Sequence, residues 1–273
     1  MLFNTISFYA VFVVFLTIYA VLQRTSRTLM MLYVMLFSLL FFSRMNPEVA
    51  MILPLTALLS WAMTRRMNEC KGALRKRWLW FIIVVDLMPL LYFKYTNFGI
   101  DVLNTLLRMN LPVLDIILPV GISFYTFQAI AHTVDVYRRH LRLKMDFLEY
   151  IFYLSFFPLL LAGPITRPGI MLQQIRENKE VNPRLLYTGL WLVMMGILKK
   201  CVVADYIAQF NNWAFDEPIL YNGFELLMAT VGFSVQIYCD FSGYSDMSIG
   251  IAAMMGFRLR ENFNFPYQSL NVS

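Results

Sequence analysis

Apolar runs return from one end of this chain to the other, with no long polar stretch between them. Those at 6–22, 29–42, 49–63, 78–93, 118–134, 147–162, 185–198 and 224–238 approach or reach the roughly 17–25 residues that carry a helix across a hydrocarbon core. A ninth run, at 247–257, is too short and too glycine-rich for a simple span. Lipid offers no hydrogen bonds to a backbone, so a chain of this pattern is confined to helices that satisfy themselves. The expectation is an all-α membrane protein: a multi-span helical bundle with re-entrant or broken helices, forming one polytopic domain over 1–273. Composition removes the soluble alternative. Hydrophobic residues are 59% and charged residues 15%, against about 45–50% and about 25% in a soluble domain.

The net charge of +6 sits in short loops, where it sets orientation rather than binding nucleic acid. Arg24 and Arg27 follow the first run. Arg65, Arg66, Lys71, Arg75, Lys76 and Arg77 follow the third, and Arg138, Arg139, Arg142 and Lys144 the fifth. The intervening loops hold only Arg44, then Lys94 and Arg108. This alternation puts the odd loops in the cytoplasm and the N-terminus outside. It breaks after Ala162, where Arg167, Arg176, Lys179 and Arg184 fall on the outer side. A re-entrant segment at Gly163-Pro164 accounts for the break, since irregular backbone at depth is tolerated when protein covers it.

Other classes lack their signatures. The N-terminus has no basic region and no small-residue cleavage site, so it reads as a retained span. Cys70, Cys201 and Cys239 form no CxxC pair, so neither a disulfide framework nor a metal site is expected. Phosphate loops, the serine-hydrolase elbow and zincin motifs are missing.

The informative residues are the polar ones inside apolar runs, because an ionisable group at membrane depth is costly and needs a reason. His132 suits a general base near the membrane boundary, and equally a helix-end histidine with a local hydrogen bond. His140 reads as a solvated loop residue. Asp86 has a candidate partner in Lys94, two turns on. Asp240 and Asp246 stand in QIYCDFSGYSDMSIG, where Gln236, Tyr238, Ser242, Tyr244 and Ser245 also offer side-chain hydrogen bonds. So polar a segment either lines a polar cavity or forms an interhelical network, and Gly243 permits a bend or a close helix approach. FPLLLAGPITRP breaks a run at Gly163-Pro164 and then supplies Arg167. That arginine is suited to an anionic group, or to helix-end carbonyls or headgroups.

LPVGISFYTFQ, DVYR, YFKYTNF, FPLLLAGPITRP, QIYCDFSGYSDMSIG and ENFNFPYQS together resemble the membrane-bound O-acyltransferase superfamily. They are most similar to its bacterial alginate O-acetyltransferase branch, and the likeness runs in order along nearly the whole chain. The resemblance implies a buried polar funnel and an acyl donor (an acyl thioester such as acetyl-CoA or an acyl carrier protein), with no bound cofactor or metal. It implies a polysaccharide acceptor, an extracytoplasmic acetylation partner protein and the bacterial cytoplasmic membrane. It carries over Gln236, Asp240, Tyr244 and Asp246, with Arg167, as cavity-lining residues. It also implies that the catalytic histidine follows NFNFPY, beyond Ser273, so that none of the catalytic residues is expected within the chain. The expectation is therefore a partial form with little turnover of its own. Two other classes stand beside it: a non-enzymatic membrane partner, and a transporter or channel using Asp240 and Asp246 as an ion path.

Overall fold

The computed structural model describes residues 3–45, 47–141, 144–161, 163–177, 181–264 and 266–269. Arg142, Ala162, Lys179 and the closing 270–273 lie outside the described residues. Among the described residues the secondary structure is helical throughout, with no strand. The helices are α1 (Ile6–Thr25), α2 (Arg27–Met45), α3 (Ile52–Glu69), α4 (Gly72–Leu90), α5 (Thr96–Leu107) and α6 (Ile122–Tyr137). They continue as α7 (Phe147–Ser155), α8 (Phe157–Leu160), α9 (Pro168–Glu177), α10 (Pro183–Ile197), α11 (Asp205–Asp216) and α12 (Gly223–Met254). Wider π-helical turns, Leu91–Tyr95 and Leu198–Ala204, join α4 to α5 and α10 to α11. Among the described residues three stretches are long and apolar enough to cross a membrane: Ile6–Thr25, Arg27–Met45 and the 36 residues of Gly72–Leu107. The chain is an integral membrane protein of helices.

The helices gather into two compact units. One holds residues 25–161 and 165–178, the other 1–24, 162–164 and 179–273.

In the unit built on α2 to α9, polar side chains deep in the helices are answered by neutral neighbours. Ser60 Oγ donates to Asp86 Oδ2 at 3.0 Å, and the Tyr150 hydroxyl donates to Ser60 at 3.1 Å. Asp86 thus takes its hydrogen bond from α3, and Lys94 is not its partner. Lys94 lies beyond the start of the π-helical turn, whose i to i+5 spacing carries it out of the α-helical register; its ammonium instead sits 5.6 Å from the Tyr95 ring. Thr64 and Thr133 share a 3.0 Å hydroxyl pair between α3 and α6. Glu149 is the charged exception, accepting from Arg27 and, in a fork at 2.8 Å on each oxygen, from Arg176.

Two further features of this unit explain sequence punctuation. Gly121 has φ +79°, and a Cβ there would run into the Leu160 carbonyl, so the glycine of LPVGISFY admits both the turn and the contact. The mixed stretch 101–115 is part helix and part extended return. Asn97 exchanges two hydrogen bonds with Leu114, and Asn104 two with Leu111. Amide side chains thereby satisfy a backbone that has left the helix.

The expected break in FPLLLAGPITRP is present. Helix α7 stops at Phe156, α8 lasts four residues, and regular helix resumes only at Pro168. Pro158 and the Gly163-Pro164 pair explain why no helix continues.

The second unit is built around α12. The runs at 224–238 and 247–257 are not separate segments: both belong to one helix of 32 residues, about 48 Å at 1.5 Å per residue. Gly243 and Gly250 do not break it, because each meets the bare backbone of a neighbouring helix. A Cβ on Gly250 would lie 2.5 Å from the Gly189 carbonyl oxygen, and one on Gly243 2.8 Å from that of Gly196. Helix α10 carries its two glycines at the same seven-residue interval, so α10 and α12 meet along a seam of small residues. Helix α1 stacks Phe8, Phe12, Phe15 and Tyr19 in a buried row, and the Tyr19 hydroxyl donates to the Met255 carbonyl at 2.7 Å. That bond answers a backbone acceptor left open at the end of α12.

Candidate functional site: a charged seam on helix α12

The polar stretch of α12 lies where the glycine seam ends. After Gly196, α10 opens into the π-helical turn, which turns Lys199 and Lys200 toward α12. Lys199 Nζ meets Asp246 Oδ2 at 2.6 Å. Lys200 Nζ meets Asp240 Oδ1 at 2.5 Å and Asp205 Oδ1, at the start of α11, at 2.9 Å. At about 100° per residue, Asp240 and Asp246 stand about 60° to either side of Gly243. The close approach at Gly243 therefore sets one ion pair on each flank of the contact. π-Helical turns concentrate at functional sites because the extra residue re-aims side chains, and here it presents two adjacent lysines to two carboxylates.

The neighbouring polar residues extend this arrangement. Tyr244, one turn beyond Asp240, puts its ring 5.8 Å from the Lys200 ammonium. Gln236, one turn before Asp240, meets the Asn211 side-chain amide of α11 at 2.7 Å. Gln236, Asp240 and Tyr244 form one stripe of α12, and Asp246 stands across the seam from them. Arg167 belongs to the other unit, where its side chain is exposed and its carbonyl accepts the Ile170 and Met171 N–H groups at the start of α9.

The roughly opposite face of α12 receives the closing motif. Phe263 packs edge-on against Tyr238 and Phe241, with ring centroids 5.7 and 5.2 Å apart. Tyr267 packs on Tyr238 and donates to the Ser234 carbonyl at 3.0 Å, and Asn262 Nδ2 donates to Ser245 Oγ at 3.0 Å. Asn262, Phe263 and Tyr267 thus contact positions 234, 238, 241 and 245, one face of the same helix.

Sequence reasoning missed Lys199, Lys200, Asp205 and Asn211. Lys199 and Lys200 end an apolar run, where they pass for loop residues at a membrane boundary. The signal available was the matched glycine interval, 189–196 and 243–250, which puts Lys199 and Lys200 within one turn of Asp240 and Asp246. Neither histidine lies in the unit of α12. His132 is 3% exposed in the other unit, its ring 4.6 Å from that of Tyr150 and its Nδ1 without a hydrogen bond. His140 is exposed, 3.9 Å from Asp135. Among the described residues no group of three or more His, Cys, Asp or Glu is arranged to hold a metal ion.

Two lysine–carboxylate pairs thus stand where α10 and its π-helical turn cross α12. Residues 136–270 match the model of MBOAT, the membrane-bound O-acyltransferase family, and that stretch contains the seam, the broken α7–α8 region and the closing motif. The chain is 31% identical over 268 residues to the peptidoglycan O-acetyltransferase of Helicobacter pylori, covering 88% of this chain and 51% of that protein. It is 37% identical over 202 residues to the probable alginate O-acetylase of Pseudomonas aeruginosa, covering 72% of this chain and 38% of that protein. With the teichoic acid D-alanyltransferase of Bacillus subtilis it shares 28% identity over 156 residues, 56% of this chain and 39% of that one. The chain belongs to the membrane-bound O-acyltransferase family. It spans about half the length, or less, of the curated relatives it matches.

Proposed function

We propose that the protein encoded with this sequence is an O-acyltransferase of the bacterial cytoplasmic membrane that acetylates hydroxyl groups of an exported polysaccharide. The observation that supports this reading most is the charged seam, which falls inside the family match and sets two lysine–aspartate pairs between largely apolar helices. Three relatives whose names each give an acyl group moved to a polymer (peptidoglycan, alginate, teichoic acid) favour the same chemistry. The donor in this reading is an acyl thioester, acetyl-CoA or an acyl carrier protein, reached from the cytoplasmic side. An extracytoplasmic acetylation protein completes delivery to the polymer.

The step is balanced simply. A general base takes the proton of an acceptor hydroxyl, the oxygen attacks the thioester carbonyl, a C–O bond forms, and the C–S bond breaks to release the thiol, which recovers the proton. The base we assign is the histidine that the family resemblance puts after Asn262–Tyr267. The seam's part is electrostatic. Gln236, Asp240, Tyr244 and Asp246, with Lys199 and Lys200, line and polarise the acyl path, and Arg167 serves an anionic group of donor or headgroup. Fixed charges of this kind stabilise a developing oxyanion without reorganising at the moment of reaction.

The test is made in the host, on the chromosomal gene, by measuring ester-linked acetate on the cell-surface polysaccharides. Deleting the gene should abolish acetylation of one polymer. Lys199→Met with membrane abundance held equal should reduce it at least tenfold. A deletion strain whose surface polymers keep their full acetate content would end the proposal.

A further inference from the structure

The unit of α2 to α9 carries an apolar groove of about 380 Å³ between α3 and α4, built entirely from its own elements. That volume lies within the roughly 300–1,000 Å³ of small-molecule sites. Leu55 and Leu59 of α3 and Met88 of α4 line it and are exposed, so the groove opens on the surface of the unit. Helix α4 belongs to a membrane-crossing stretch, which makes the hydrocarbon layer the route of entry.

The polar groups in this apolar lining are almost all acceptors. Asp86 is 6% exposed and lines the groove. Ser60, which is not part of the lining, donates to its Oδ2. Among the described residues no lysine, arginine or histidine pairs with this carboxyl group. Thr56 has already given its proton: its Oγ1 lies 2.8 Å from the Ile52 carbonyl and 2.9 Å from that of Leu53. Toward the groove that oxygen can only accept. Pro89, inside α4, has no N–H to give the Val85 carbonyl four residues before it, and both residues line the groove. Tyr92 and Phe93, from the π-helical turn, add two rings set edge-on with centroids 5.0 Å apart. Ring faces attract cations, and the Tyr92 hydroxyl is the one donor in the set.

We propose that the α3–α4 groove binds a lipophilic primary amine drawn from the bilayer. Its ammonium bonds Asp86, Thr56 and the Val85 carbonyl, and its aliphatic body lies between the two helices. Three acceptors match the three N–H donors of a primary ammonium. The ligand also brings the cation that the protein does not supply. A carboxylate at membrane depth is costly without a partner, so an amine gains an interaction that an uncharged chain of equal length lacks. The proposal does not depend on acyl transfer.

The full-length product of the chromosomal gene is purified into phosphatidylcholine nanodiscs. Monodansylcadaverine, a lipophilic primary amine with a fluorescent ring, is titrated, and energy transfer from the protein's tryptophans reports binding. Its N-acetyl derivative has the same ring and chain without the charge, and so measures partition into lipid alone. The amine should bind saturably, about tenfold or more tightly than the acetylated form, and dodecylamine should displace it. Asp86→Asn should weaken amine binding by about tenfold or more. Thr56→Val, which removes one acceptor, and Leu55→Phe, which fills the groove from its exposed side, should each weaken it by about threefold or more. Should Asp86→Asn fold poorly, the other two variants decide. Equal affinity for the acetylated probe would overturn the proposal. So would unchanged amine binding in Asp86→Asn, or in Thr56→Val and Leu55→Phe together.

Discussion

Asp86 and Asp246 both sit inside apolar helices, yet the two units of the molecule treat them in opposite ways. In the unit of α2 to α9, Asp86 meets Ser60 and, through it, Tyr150, so its partners are neutral hydroxyls. In the unit of α12, Asp246 and Asp240 meet ammonium groups from an adjacent π-helical turn. The hydroxyl chain links α3, α4 and α7 through neutral groups. A lysine–carboxylate pair costs more to desolvate and persists where its field or its exchange of partners is used. The comparison therefore separates a carboxylate with neutral partners from the ion-paired carboxylates that the proposed function assigns to the site.

The largest effect should come from closing the seam. A side chain at Gly243 meets backbone, the Gly196 carbonyl at 2.8 Å and the Lys200 nitrogen at 3.0 Å, and backbone cannot rotate away. Overpacking a core typically costs about 1–3 kcal/mol and more where nothing yields. Gly243→Val should accordingly leave little folded protein in membranes by immunoblot after detergent extraction. Gly99→Ala, at a helical position where nothing lies within 4 Å, should accumulate normally. Equal loss in both would mean that glycine content, not helix approach, governs stability here.

Next in size is the Lys199–Asp246 pair, whose side chains are 28% and 21% exposed. Removing one partner of a buried pair costs about 3–5 kcal/mol, and partial exposure should bring this nearer about 2. Lys199→Met and Asp246→Leu should each lower the unfolding midpoint in detergent, while the double variant recovers most of the loss. If the double variant also recovers acetylation, the pair is a structural tie like Asp86, and the contrast between the units disappears.

The legibility of these features in the sequence was uneven, for physical reasons. Apolar run length located α1 to α4, α6, α7 and α10, since a bilayer imposes it directly, but gave no run for the shorter α5, α9 and α11. It failed at α12, where polar residues and two glycines looked like an interruption; hydrogen bonding within the helix is indifferent to side chains that neighbours satisfy. The polar candidates on α12 were visible because charge at depth is rare, but their partners were not. Lys199 and Lys200 become partners only through a π-helical turn, and Ser60 becomes the partner of Asp86 only through packing of α3 on α4. Local spacing pointed from Asp86 to Lys94 along one helix, whereas the structure resolved it between helices. Periodicity describes one element at a time, and these pairings exist between two.

The smallest effect sharpens the comparison from the neutral side. Ser60 is fully buried and serves two groups at once, donating to Asp86 and accepting from Tyr150. Ser60→Ala removes a small hydroxyl without changing the packing much, but leaves a carboxyl and a phenol each short of a partner. An unsatisfied buried polar group costs about 1–3 kcal/mol, and relaxation of Tyr150 toward Asp86 would hold the net loss near the lower end. The unfolding midpoint should fall modestly, by less than in Lys199→Met, with surface acetylation unchanged at equal protein level. Ser60→Ala combined with Asp86→Leu should regain most of the stability, because the stranded carboxyl is then gone. The decisive reading is acetylation: if Ser60→Ala lowers it as strongly as Lys199→Met does, Asp86 belongs to the working site. The division between a holding carboxylate and a charged site would then be wrong.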